Sequence, residues 1–307
     1  MIWKYGSLVI LTVISIIGIA IPIGGTFGDA SRQFMMGVSR PTPVKGTVTA
    51  YTDIPQHILT VTDAAGKSGQ IIFPSSRSIN VGDYVVCDVT FDASNKTYPA
   101  VKLVSVNPPF TYPYIPGLEE RARIMFFHVP MSWVATIAFF VSMIYGIMYL
   151  RTKKVDHDIK SSAAAGLGLM FCILATLTGS IWAKFNWGSY WNWDPRETSI
   201  FVLLLVYGAY FSLRSAIEDE SKRASLAAVY AILAAVTVPF FIFIMPRIMP
   251  GLHPGSSGDV NSGPVISGQI NVSMRFVYIS AFIGFIGVFV WLFQLRVRVA
   301  HMMLRKG

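Results

Sequence analysis

Residues 163–183 read AAAGLGLMFCILATLTGSIWA, twenty-one positions without one charged side chain. A helix rises 1.5 Å per residue, so such a run crosses about 30 Å, the thickness of a bilayer's hydrocarbon core. Five further apolar runs accompany it: Ser7 to Ile23, Ile124 to Leu150, Ser199 to Leu213, Ser225 to Met245, and Met274 to Leu295. Hydrocarbon cannot hydrogen-bond a backbone, which predicts that all six are helices. The whole chain agrees, with 53% hydrophobic and only 13% charged residues among 307. The expected fold is an all-α polytopic membrane protein with six transmembrane helices and a small all-β domain inserted on the extracytoplasmic side.

The formal charge of +9 does not point to nucleic acid, because many of the cations sit where they set topology. Arg151, Lys153, Lys154 and Lys160 follow the second run, Arg214, Lys222 and Arg223 the fourth, and Arg296, Arg298, Arg305 and Lys306 the sixth. By the positive-inside tendency these segments are cytoplasmic, with both termini inside an inner membrane. Gly24 to Arg123, Lys184 to Arg196 and Pro246 to Ser273 then face out. Residues 1–25 resemble a signal peptide in their basic flank and apolar core. They lack a clean small-x-small cleavage site near Ile21 to Gly28, so an uncleaved first helix is expected.

The first outer segment changes character between about Lys45 and Val106. Alternating β-branched residues mark five short strands, Gly46 to Ala50, His57 to Thr62, Gln70 to Phe73, Asp83 to Thr90 and Ala100 to Val106. Turn signals at Asp63-Ala-Ala-Gly66 and Asn80-Val-Gly-Asp83 separate them, and a five-stranded OB-like barrel over 42–107 is expected. Pro41-Thr-Pro43 and the proline-rich Asn107 to Pro116 read as semi-rigid linkers on either side.

Cysteine and histidine placement narrows the chemistry. Cys87 lies in the barrel and Cys172 in the third run, with no Cys-x-x-Cys, which excludes thiol exchange and attachment of a c-type haem to this chain. Of five histidines, His157 and His301 fall on the cytoplasmic side and His57 in the barrel. His128 and His253 remain at the outer membrane border. A histidine at the depth of His128 is costly unless paired or ligated, and Pro130 is expected to loosen the helix beside it. His253 occupies the turn Pro250-Gly-Leu-His-Pro-Gly255. Two imidazoles, one from a helix and one from a loop, suit the axial positions of a haem iron. The bland alternatives are a core histidine satisfied by a carbonyl and a solvated loop histidine.

Between the third and fourth runs, three tryptophans and a tyrosine crowd Trp187-Gly-Ser-Tyr-Trp-Asn-Trp-Asp-Pro-Arg-Glu-Thr198. Aromatic anchors at membrane interfaces are ordinarily scattered. A brief surface helix would align Trp187, Tyr190 and Trp191 on one side, as a platform for a porphyrin. Asp194-Pro-Arg-Glu197 reads as an N-cap, a first-turn proline and a capping-box carboxylate, so these acids are expected to start a helix and not to catalyse. Arg196 is the candidate to pair with a haem propionate, near Arg123, Lys184, Arg247 and Arg275.

That tryptophan segment looks like the signature of the haem-handling proteins of cytochrome c biogenesis. Ile124-Met-Phe-Phe-His-Val-Pro130 and Leu252-His-Pro-Gly255 resemble the histidine segments of the cytochrome c maturation protein C family. The resemblance covers the first helix and roughly Arg121 to the C-terminus, and it implies a five-helix haem-handling membrane domain over 118–300 with the loop at 184–197. It implies that His128 and His253 are axial ligands of a non-covalent, b-type haem. It also implies that Trp187, Gly188, Trp191, Trp193, Asp194 and Arg196 present that haem, joined in the platform reading by Tyr190. The implied role is haem delivery at the outer face to a covalent haem chaperone, together with ABC transporter subunits and with apocytochrome c as a further partner, without catalysis by this chain. The Asp-Pro-Arg-Glu-Thr ending is also similar to the cytochrome c synthase branch, whose members attach haem to apocytochrome. A third reading is a membrane-anchored OB module or transporter without haem, although the predicted spans hold essentially no acidic residues for an ion path.

The barrel departs from the maturation protein C pattern. Val81-Gly-Asp-Tyr-Val-Val and the Tyr/Pro-rich tail are faintly similar to the OB-fold haem chaperone of the same pathway. The haem-attaching His-x-x-x-Tyr is missing where Asn107-Pro-Pro-Phe-Thr-Tyr112 stands, so the barrel is expected to dock a chaperone or apocytochrome, with His57 as the one candidate exception.

Overall fold

Helices account for most of the described residues, and most of the strands form a closed barrel. The structure is a computed structural model that describes residues 2–38, 40–53, 56–74, 78–115, 118–253 and 272–305. Two compact units divide it: one comprises Met1–Ile16, Arg123–Gly268 and Phe276–Gly307, the other Ile17–Ala122 with Gln269–Arg275.

The barrel unit follows helix α1 (Ile2–Ala20). Strand β1 (Ile23–Gly24) precedes helix α2 (Phe27–Met35), and then come β2 (Thr42–Thr52), β3 (His57–Asp63), β4 (Ser68–Phe73), β5 (Tyr84–Val89), β6 (Tyr98–Val106) and β7 (Tyr112–Pro113). The barrel closes in the order β2-β3-β4-β6-β5. Only the β4–β6 pair among its ladders is parallel, while β2 pairs antiparallel with both β3 and β5. The first half of β2 pairs with β5 and the second half with β3, with a register shift between Val48 and Ala50 in the latter ladder. Gly46 lets β2 approach β3, since a Cβ there would sit 2.3 Å from the Thr62 carbonyl oxygen. Alternation in the sequence becomes alternation in burial, and Val44, Val48, Leu59, Val61, Ile71, Val85, Cys87 and Val89 fill the interior.

Helix α2 was not expected. Its start was nevertheless legible as a capping box: Thr26 accepts from the Asp29 amide, and the Asp29 carboxylate accepts from the Thr26 amide at 2.9 Å. The Phe27 ring is fully buried and packs on Gly69 and on Tyr98, centroids 4.5 Å apart. Its amide donates to Asp63 Oδ2 at 2.9 Å, so one turn residue of the barrel also receives the helix that plugs it.

The other unit is a bundle of α3 (His128–Thr152), α4 (Val155–Trp187), α5 (Pro195–Ala216), α6 (Glu220–Pro239), α7 (Met245–Ile248) and α8 (Val272–Leu304). A π-turn over Phe240–Ile244 joins α6 to α7. Pro239 and Pro246 flank that turn, and each lacks an N–H for the regular ladder, which favours the wider turn. Lipid gives helices no hydrophobic reason to associate, so close packing through small side chains carries the contact. Accordingly α6 buries Ala227, Ala231, Ala234 and Ala235. Phe139 of α3 stacks on Tyr207 of α5 at 3.6 Å and 13°. Gly168 of α4 makes room, because a Cβ there would lie 2.5 Å from the Phe139 ring. Arg214 of α5 grips Asp158 of α4 with two bonds of 2.6 and 2.8 Å. Cys87 and Cys172 are both buried and free.

Six spanning helices were expected. Among the described residues five are long and apolar enough: Glu119–Thr152, Val155–Trp187, Pro195–Ala216, Glu220–Ile248 and Met274–Leu304. The apolar part of α1, Tyr5–Ala20, is shorter than these. The first run is not among the five, because α1 stops at Ala20, and Ile23, with only 2% exposure, is taken into β1 beside Tyr112.

Removing the plug tests how far the barrel depends on α2. Phe27→Ala is expected to cost about 3 to 5 kcal/mol, seen as lost hydrogen-exchange protection in β2 to β6 while α3 to α6 keep theirs.

Candidate functional site

His128 opens α3, with Phe127 as its N-cap. Pro130 therefore falls in the first turn, where a missing N–H leaves no helical bond unmade. The expectation that it loosens the helix is corrected: it helps to start one. The imidazole turns towards α4, with Nδ1 3.1 Å from Thr178 Oγ1. It lies against Gly179, whose hydrogen is required there, since a Cβ would come within 2.8 Å of His128 Cε1. The charge-bearing groups around the ring are His253 and Arg196.

Helix α4 runs to Trp187 and is stopped by Gly188, which adopts φ +82° and donates its N–H to the Lys184 carbonyl at 3.1 Å. Lys184 returns a bond to the Gly188 carbonyl at 2.8 Å. The brief surface helix expected to align Trp187, Tyr190 and Trp191 is absent, because Trp187 is still the end of α4 and residues 188–194 are irregular. Gly188 ends the helix, and its left-handed turn sends the aromatic side chains to different places. Trp187 meets Trp182 edge-on at 5.0 Å and His253 at 4.6 Å. Trp191 instead packs on Trp193 at 5.8 Å and Phe201 at 6.1 Å. Tyr190 lies exposed with the Lys184 ammonium 5.5 Å from its ring centroid. Trp193 holds φ +55° and is 69% exposed, an unfavourable backbone for a bulky side chain that its own chain does not cover.

Asp194 caps α5 as expected, with Glu197 completing the capping box. It also does something the sequence did not disclose. Its carboxylate is buried and accepts from three groups: the Arg196 amide at 2.9 Å, the Leu252 amide at 2.6 Å and His253 Nδ1 at 2.7 Å. Glu197 in turn accepts from the amides of Asn192 at 2.7 Å and Asp194 at 3.3 Å, holding the end of the loop. Burial pushes the Asp194 carboxyl up, but the bond and charge of His253 and the amides of Arg196 and Leu252 outweigh it and hold it at about 2, below its ordinary 3.8. Arg196 is half-buried, with Asp194 and Arg247 as its charged neighbours.

His128, His253, Trp187, Asp194 and Arg196 thus gather at the end of α4, whereas Trp191, Trp193 and Tyr190 form a separate group facing outward. Trp182 was missed. It lies 5.8 Å from His253 on the same face of α4 as Thr178 and Gly179. In the sequence it is one more apolar residue of a spanning run, and only the spacing 178, 179, 182 hinted at a common face. Pro254 and Gly255, which were expected to shape the His253 turn, lie outside the described residues. His57 sits in β3, bonded to Asp53. None of the described residues forms a cluster of three or more His, Cys, Asp or Glu suited to a metal ion.

The family model described as heme exporter protein C matches residues 114–306, a span that begins beyond the last barrel strand. A heme exporter protein C of Bradyrhizobium diazoefficiens is 38% identical over 121 residues, 39% of this chain and 46% of the relative. That of Paracoccus denitrificans is 28% identical over 176 residues, 57% of this chain and 71% of the relative. A cytochrome c biogenesis protein CcsA of Gossypium hirsutum is 30% identical over 131 residues, 42% of this chain and 37% of the relative. The chain therefore spans less than half of the Bradyrhizobium relative that it matches.

The carboxylate knot has a pH signature. Because Asp194 titrates lower in the fold than in the unfolded chain, its contribution is complete above about pH 4 and is lost as pH falls through about 2. At about 1.4 kcal/mol per pH unit, that contribution is on the order of 2 kcal/mol. Thermal unfolding of the detergent-solubilised protein and of Asp194→Asn is expected to show a stability gap at neutral pH that closes between about pH 4 and pH 2.

Proposed function

The chain belongs to the heme exporter protein C family, and from that premise we propose that it binds haem at the outer face of the membrane and passes it on during c-type cytochrome biogenesis. The observation that carries this reading is the pair of imidazoles at one end of α4. Each has Nδ1 engaged by a side chain of its own protein, Thr178 for His128 and Asp194 for His253. Nε2 is then the nitrogen to offer an iron, the arrangement expected of a histidine ligand held by an outer partner. Trp182 and Trp187 supply aromatic surface beside His253, and Arg196 is the cation placed to pair with a propionate. The donor set suits a non-covalent, b-type haem that enters as cargo and leaves.

The same reading gives Trp193 and Trp191 a different task. A strained, exposed tryptophan beside the site is the side chain of this loop to meet a partner, and the covalent haem chaperone is the partner proposed. ABC transporter subunits are proposed to work with the bundle, and the cations near the ends of α3, α5 and α8 support a cytoplasmic location for those ends. Both termini are then cytoplasmic, with α1 as a sixth, short span of an inner membrane protein.

The barrel's strand order, with its single parallel pair, supports an OB-type reading. It carries no His-x-x-x-Tyr, so it is proposed to dock the chaperone or apocytochrome c without holding haem covalently. Likeness to the CcsA protein supports a second reading, in which the chain is the membrane subunit of a cytochrome c synthase and attaches haem to apocytochrome.

Visible spectra of the detergent-purified protein loaded with haemin test the first reading. Wild type is expected to show low-spin bands, and His128→Ala or His253→Ala to lose them together with most of the haem; unchanged spectra in both variants would defeat it. Acid-acetone extraction is expected to remove all haem from the barrel and the bundle alike. Adding an apocytochrome with a Cys-x-x-Cys-His segment then separates delivery from synthesis, thioether formation by the purified chain being the mark of a synthase.

A further inference from the structure

The two histidines are held by partners of unequal strength. A threonine hydroxyl has one hydrogen to give. That of Thr178 points to its own helix, with the carbonyl oxygens of Leu174 at 2.9 Å and Ala175 at 3.1 Å as acceptors. Towards His128 Nδ1, 3.1 Å away, the hydroxyl oxygen is left to accept. With the Ala175 backbone as a further partner of the ring, Nδ1 then carries the proton, and Nε2 is the unprotonated nitrogen. At His253 the conclusion is the same for a different reason, because an ionised carboxylate only accepts and Asp194 Oδ1 lies 2.7 Å from Nδ1.

Equal tautomers do not make equal ligands. A carboxylate behind an imidazole pulls on its N–H and raises the donor strength of the opposite nitrogen, whereas a neutral hydroxyl whose own hydrogen is shared with a carbonyl does so weakly. His253 has the carboxylate, which the Arg196 amide at the start of α5 and the Leu252 amide also hold in place. His128 has the Thr178 hydroxyl and the Ala175 backbone, both neutral. Its ring is positioned by steric fit on Gly179, which orients the imidazole without adding to its basicity.

We propose that this inequality sets the order of release: His253 is the retaining ligand, His128 is the yielding one, and Thr178 is the positioning residue that keeps it so. An incoming ligand from an acceptor then takes the coordination position that His128 gives up, while His253 still holds the other side. The proposal rests on the reading that both histidines ligate iron, and it adds which of the two lets go.

The test uses the full chain in detergent. In haem-free protein labelled with ¹⁵N-histidine, the resonance assigned to His128 by its loss in His128→Gln is expected to report an Nδ1-protonated neutral ring. Thr178→Ser should keep that form, and Thr178→Val should mix in the other tautomer. In protein loaded with haemin, displacement of the weaker ligand by added imidazole is expected to run about tenfold faster or more in Thr178→Val, the range for loss of an outer partner. It should be near wild type in Thr178→Ser and slower in Thr178→Asp, which gives His128 a carboxylate of its own. An Nε2-protonated His128, or one displacement rate across the Thr178 variants with haem still bound, overturns the proposal and leaves the bis-histidine reading standing. Haem retained with its low-spin bands in His128→Ala overturns the underlying reading instead.

Discussion

A single buried carboxylate organises the end of the bundle where α4 stops and α5 starts. Asp194 starts α5, receives the Leu252 amide, and orients His253. With it, the segment that carries His253, irregular between Met249 and His253, is tied to the start of α5 by hydrogen bonds in addition to its ring contacts with Trp182 and Trp187 of α4. A buried acid is expensive unless it is ionised and well satisfied. Here three donors hold it in the charged form, and that form has the acceptor capacity to bind an imidazole N–H, an amide and a helix start together.

Helix α4 is the second element on which the site depends. Its face at Thr178, Gly179 and Trp182 meets one imidazole and approaches the other, and its last residue, Trp187, meets His253. The same helix passes Gly168 under Phe139 and anchors Asp158 to Arg214. The parts that hold the site in place are thus the parts that hold the bundle together, which suits a membrane protein whose association relies on close packing. The barrel is built on other principles, with its own alternating core and its own plug, and it lies outside the span matched by the family.

The tryptophan loop divides where it was expected to be continuous. A positive-φ glycine after Trp187 turns the chain, so one tryptophan joins the histidine and the others join each other. Helical spacing is informative only while the helix lasts, and Gly188 is a stop signal that outweighs the attractive 187, 190, 191 pattern. Asp194 offers the complementary lesson. Reading it as a cap was correct, yet a cap uses little of a carboxylate's capacity, and the remaining capacity is where His253 is held.

The sequence by itself determined the solvent, the strands and the chemistry on offer. Long apolar runs specify membrane helices because lipid satisfies no backbone group, alternation over 42–107 specifies strands because side chains leave a strand on two faces, and the positions of basic residues are the ground on which His128 and His253 stand as candidates. The capping box at Asp194 was equally legible, because caps are local. Tertiary structure alone decided that Asp194 meets His253 across 59 residues, that His128 is seated on Thr178 and Gly179 across 50, that Trp182 belongs to the site, and that Phe27 closes the barrel. None of these leaves a periodic or local trace, because each arises where separate elements meet, and the partner of a side chain is then set by packing and not by its neighbours in the chain.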